Sequence, residues 1–97
     1  MSEFTLSFIN NGKKFKVPKM TVGSHEAALD AMIQYGKIEE EKYNRLFNKQ
    51  LILVQLKKID KNVKLEDIAE LHPDEYLDLF QAVWDSGRSK KGDRKFR

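Results

Sequence analysis

From Ile38 to Ile59 the chain runs without a glycine or proline. Glu39, Glu40 and Glu41 open this stretch, and Lys57 and Lys58 lie near its end. Carboxylates at a helix start and cations at its close both complement the helix macrodipole. Tyr43, Phe47, Leu51, Val54 and Lys58 share one stripe at helical spacing, widened by Leu46 and Leu53. Read alone, Leu51 to Leu56 also suits a buried strand. The missing breaker favours a long helix over about 39–59.

The segments on either side carry their own punctuation. Phe4 to Ile9 alternates apolar and polar residues, as a half-buried strand does. Asn10-Asn11-Gly12 follows, and Asn-Gly is a strong hairpin signal because both residues tolerate positive φ. Lys13 to Val17 alternates again, and Pro18 ends that strand or places it at an edge. The expectation is a β-hairpin over 4–17 with Phe4, Leu6, Phe8, Phe15 and Val17 facing the body. A lone hairpin is barely stable in water, so it must pack on helices or pair with another chain. Ser24 is the expected N-cap of a helix carrying Ala28, Leu29, Met32, Ile33 and Tyr35, closed by Gly36. After a turn at Asp60-Lys61-Asn62, Leu65 to Leu71 reads as a short helical turn. His72-Pro73 starts the last helix, with Pro at its first position and Asp74 and Glu75 in its first turn. Tyr76, Leu77, Phe80, Val83 and Trp84 fall on one face, and Gly87 stops it. The predicted fold class is α+β: an N-terminal β-hairpin packed on about three α-helices.

Residues 88–97 differ in kind. Arg88, Lys90, Lys91, Arg94, Lys95 and Arg97 stand against one carboxylate, Asp93, for a net charge of +5. Residues 1–87 hold twelve Lys/Arg and fourteen Asp/Glu, so the body is mildly acidic. The basic segment has one aromatic, Phe96, and no periodicity, too little apolar surface to fold by itself. The expected organisation is one domain over 1–87 and a flexible, disordered basic tail over 88–97. A body this small is expected to be marginally stable, and a partner or self-association would add to its stability. An exposed hairpin edge offers one surface for such pairing. With no cysteine in the chain, disulfides and thiolate-based metal sites are excluded. The N-terminus lacks a signal-peptide pattern, and no apolar run approaches the roughly 20 residues of a membrane span. The expectation is a soluble, cytoplasmic protein.

Little in the chain suggests catalysis. His25 and His72 each sit at a predicted helix start, and neither has a second histidine four residues away. Surface or capping roles suit them better than metal ligation. Asp74, Glu75 and Asp78 cluster, but the helix dipole accounts for carboxylates there. The five glycines, at 12, 23, 36, 87 and 92, form no phosphate-binding loop. The chain is therefore read as a non-enzyme without cofactor or metal. Tyr76, Phe80 and Trp84 are either core packing or a partner-binding face, since Trp and Tyr are common interface anchors. Trp84 lies near the helix end, where full burial is hardest.

The stretch from Leu71 to Arg88, together with the opening hairpin and the helix over Ala27 to Tyr35, resembles the small tail assembly chaperones of long-tailed bacteriophages, particularly those of Gram-positive hosts. The resemblance implies binding of the tape measure protein, a long and largely helical chain kept soluble until tail-tube subunits polymerise around it. It also implies action in the cytoplasm of the bacterial host and absence from the mature virion. In many such phages a translational frameshift near the end of the gene makes a longer product. Ser89-Lys90-Lys91 can be encoded by a slippery A-rich heptamer, which would make the basic segment a linker. The alternative is a small nucleic-acid-binding accessory protein acting through its basic tail, contacting phosphates in a salt-dependent way. No recognised nucleic-acid module in the body supports it.

Overall fold

A computed structural model describes residues 3–87, so the predicted basic tail lies outside the described residues. The fold is α+β and mostly helical. Strand β1 (Glu3–Phe4) pairs antiparallel with β2 (Phe15–Lys16). Four α-helices follow among the described residues: α1 (Val22–Met32), α2 (Glu40–Lys57), α3 (Leu65–Ala69) and α4 (Pro73–Ser86).

The long helix is present as α2, and residues 51–56 are helical. Its inward face is rotated from the predicted stripe. Leu51, Ile52, Gln55 and Leu56 are buried, whereas Tyr43, Phe47, Leu53 and Val54 are half-buried and Lys58 is exposed. The cause is tertiary, since α2 packs against α1, α3 and α4 and is covered on more than one side.

The hairpin is much shorter than 4–17. Among the described residues only Glu3 pairs with Lys16 and Phe4 with Phe15, and the two Phe rings lie 6.0 Å apart. Between the strands the chain makes a wide loop instead of a two-residue turn. The Ile9 N–H donates to the Leu6 carbonyl at 3.1 Å, which breaks the alternation. Ile9, which is not among the residues expected to face the body, is fully buried, while Leu6, Phe15 and Val17 are buried as expected. Phe4 and Phe8 are only half-buried. Asn10, Asn11 and Gly12 form a 3-10 turn with φ of 52°, 57° and 78°. Asn and Gly are the residues that occupy this left-handed region most readily. The Asn10 N–H donates to Asp60 Oδ2 at 3.3 Å, tying the loop to the turn after α2.

Helix α1 begins earlier than predicted. Thr21, not Ser24, is its N-cap. The Thr21 hydroxyl accepts from the Ser24 N–H and the Ser24 hydroxyl accepts from the Thr21 N–H, each at 3.2 Å. This reciprocal box satisfies two donors at the helix start. A 3-10 turn over Ile33–Tyr35 continues α1, and Gly36 ends it at φ 65°, ψ −140°. Of the residues expected to face inward, Ala28 and Met32 are buried, but Leu29 and Ile33 are exposed.

The core is one cluster centred on Ile9, Leu51, Ile52, Leu56, Ile68, Leu79 and Val83. Among the described residues Ser24, Gln50 and Gln55 are the buried polar side chains. Gln55 is fully buried, and its amide NH2 donates to the Pro18 carbonyl. Its Oε1 has no hydrogen-bond partner among the described residues. This bond fixes the backbone just after β2 to the last turn of α2.

Candidate protein-binding face

Helix α4 is held at both ends by side chains the sequence supplies locally. His72 is the N-cap, and its Nδ1 accepts from the Asp74 N–H at 3.3 Å. Glu75 Oε1 accepts from the His72 N–H at 3.3 Å, closing the box. Pro73 fills the first position, where its missing N–H is no loss. His72 thus has the capping role expected of it. His25 lies inside α1, its ring edge-on to Phe47 at 5.2 Å. Among the described residues no group of three or more His, Asp or Glu is arranged to hold a metal ion.

At the other end Ser86 Oγ accepts from the Met20 N–H at 3.0 Å and donates to the Val83 carbonyl at 2.6 Å. Gly87 then passes close to Met20. A Cβ at position 87 would meet Met20 Cε at 2.6 Å and Met20 Cβ at 3.3 Å. The glycine that stops α4 is therefore also a packing residue, with an ordinary φ of −86°. The sequence signal was the helix stop alone, and the contact with residue 20 is long-range.

Between these anchors Leu79 and Val83 point into the core. Tyr76, Phe80 and Trp84, four residues apart, form a ladder on one flank of that stripe. The Tyr76 and Phe80 rings stack with centroids 6.3 Å apart and planes 17° apart. Phe80 meets Trp84 edge-on, also at 6.3 Å. All three pack against the core yet remain half-buried. Burial pushes the Tyr76 phenol above its ordinary value. Leu77, predicted to share one face with them and with Val83, is 59% exposed beside the ladder. The core takes Leu79 and Val83, and the aromatics are left at its margin. The structure thus places Tyr76, Phe80 and Trp84 together, between the two roles they were assigned. The six cations Arg88, Lys90, Lys91, Arg94, Lys95 and Arg97 lie outside the described residues.

Two features escaped the sequence reading. Val22, Leu29 and Ile33 form an exposed apolar line along α1. They are spaced by seven and four residues, roughly two turns and one turn of helix. On the flank of α4 opposite the ladder, an open groove of about 530 Å³ separates α4 from the β1 segment. A second groove of about 400 Å³ continues it, sharing Thr5, Leu6 and Glu75. No described helix is long and apolar enough to cross a membrane. Comparison with protein-family models, with characterised proteins and with solved structures gives no match for this chain.

Proposed function

We propose that the protein is a non-catalytic, protein-binding module, and specifically a phage tail assembly chaperone that holds the tape measure protein soluble during tail morphogenesis. The observation that carries the reading is the Tyr76–Phe80–Trp84 ladder, which is ordered by its own ring contacts and left half-exposed beside Leu77. Partly buried aromatics on a capped helix give a rigid apolar surface whose side chains have little freedom left to lose on binding. An amphipathic client helix could lay its apolar face there. Client release requires moderate affinity, which suits an exposed strip more than a deep pocket.

In this reading the protein works in the cytoplasm of the bacterial host and is absent from the mature virion. A frameshifted longer product would carry residues 88–97 as a linker. Co-expression with the tape measure protein is expected to raise that protein's soluble yield and give a co-purifying complex. Trp84→Ala is expected to weaken capture while leaving the far-ultraviolet circular dichroism unchanged. Unchanged client solubility with no complex would overturn the proposal. Loss of fold and capture together would make Trp84 a core residue only. The alternative, nucleic-acid binding, rests on the charge of residues 88–97. It predicts steeply salt-dependent binding of DNA or RNA by the full chain.

A further inference from the structure

The dipeptide Asn11-Gly12 carries a chemistry separate from its role in the turn. The backbone nitrogen that follows an asparagine can attack the side-chain carboxamide carbon and close a five-membered imide. Glycine at the attacking position favours this most, because no Cβ crowds the approach. The chain has asparagine at 10, 11, 44, 48 and 62, followed in turn by Asn, Gly, Arg, Lys and Val, so only Asn11 meets that condition. Asn11 is also exposed to water.

The folded turn holds the two reacting atoms apart. Ring closure requires the Gly12 nitrogen to lie eclipsed with the Asn11 Cβ across the Cα–C bond. The Asn11 ψ of 33° places that nitrogen nearly anti to the Cβ. The Gly12 N–H is engaged as well, donating to the Ile9 carbonyl at 2.9 Å. Turning ψ therefore breaks this bond and the adjoining one from the Lys13 N–H to the Asn10 carbonyl at 3.1 Å. Asn10 and Asn11 both stand at positive φ, which is costly for residues with a Cβ, so other contacts must hold the turn shut. Ile9, immediately before it, is fully buried in the core. The Asn10 N–H donates to Asp60 Oδ2, and Asp60 is itself fixed by accepting from the Asn62 N–H at 3.0 Å.

We propose that Asn11 is a site of spontaneous deamidation gated by the fold: the closed turn withholds the reaction, and opening of the β1–β2 loop releases it. In the open loop the Gly12 nitrogen bonds to Asn11 Cγ and gives up its proton, and the carboxamide nitrogen leaves as ammonia. Water then opens the imide. Attack at Cγ leaves an aspartate, whereas attack at the main-chain carbon leaves an isoaspartate joined to Gly12 through its side-chain carbon. One water is consumed, one ammonia is released and one negative charge is gained. The isoaspartate lengthens the backbone by a methylene between the partners of both turn hydrogen bonds, so the original turn cannot re-form. The opening becomes one-way and weakens the seat of Ile9 in the core.

The test uses the full chain at mildly alkaline pH, with and without guanidinium chloride at an unfolding concentration. Peptide mass mapping then follows the acid formed at each asparagine. In the unfolded chain acid should appear first at Asn11, ahead of Asn44, Asn48 and Asn62. In the folded chain the reaction at Asn11 should be slower by at least about tenfold, because it waits on local opening. Asp60→Ala removes a tether without touching the core, and should speed Asn11 in the folded chain by at least about threefold. Ile9→Ala should act in the same direction but also lowers global stability, so Asp60→Ala is the deciding variant. Equal rates at Asn11 in folded and unfolded chains would overturn the proposal. So would a faster site elsewhere in the unfolded chain, or an Asn11 rate unmoved by Asp60→Ala.

Discussion

At the scale of single residues, backbone conformation and burial leave few alternatives at several positions. Gly36 adopts φ 65°, ψ −140°, where a side chain is strained even though open space surrounds its Cα. Gly36→Ala should therefore cost about 1–3 kcal/mol. A urea midpoint equal to that of the unaltered protein would show that the turn relaxes. Tyr76 makes a second prediction. Burial disfavours its phenolate and raises its pKa in the folded state, so unfolding at alkaline pH releases a proton. Stability from this group is intact below the unfolded value of about 10 and is lost as pH rises through the folded value. Tyr76→Phe should remove that part of the alkaline decline. A stability difference between the two proteins that stays flat from about pH 8 to about pH 11 would mean that the phenol titrates as if free in water.

The elements owe their ends to capping and their faces to neighbours. His72 caps α4 through its ring nitrogen, and Glu75 returns a bond to the His72 N–H. His72→Ala should cost about 0.5–2 kcal/mol, the usual range for a lost N-cap, read as a lower thermal midpoint. His72→Asp keeps an acceptor at the same place and should recover most of that loss. A substitution to Ala with no effect would show that Pro73 and the helix dipole suffice to start α4. The cap was legible in the sequence because Pro73, Asp74 and Glu75 follow it within one turn. The Thr21–Ser24 box was half-legible. Ser24 reads as a capping residue from the sequence, but the hydroxyl three positions earlier takes the cap and leaves Ser24 as its reciprocal partner.

The whole molecule depends on contacts between its ends and its middle. Ile9 from the β1–β2 loop is fully buried in the same cluster as Leu51, Leu79 and Val83. Ile9→Ala should cost about 2–5 kcal/mol, as for other large-to-small core changes. Chemical denaturation would measure it, and a cost below about 1 kcal/mol would place the loop outside the cooperative unit. Met20 plays a similar joining role, meeting Ser86 through its N–H and Gly87 through its side chain. The ladder on α4 and the groove on its other flank are both consequences of this joining. Each is a margin left where α4 meets elements distant in sequence.

The sequence by itself determined where α4 starts and stops, which helix is longest, and that the chain is α+β. Those properties follow from charge, capping residues, glycine and proline acting over a few neighbours. The tertiary structure alone decided which apolar residues are inside. Alternation leaves Ile9 outside the inward set, yet it is buried. Helical spacing groups Leu29 and Ile33 with Ala28 and Met32, and Leu77 with Val83, yet Leu29, Ile33 and Leu77 are exposed. A periodic pattern identifies a stripe on an element, but exposure depends on what packs against that stripe. The groove beside α4 was invisible for the same reason. Its residues come from β1, α3 and α4 and the turns beside them, and only the packing of those segments brings them together.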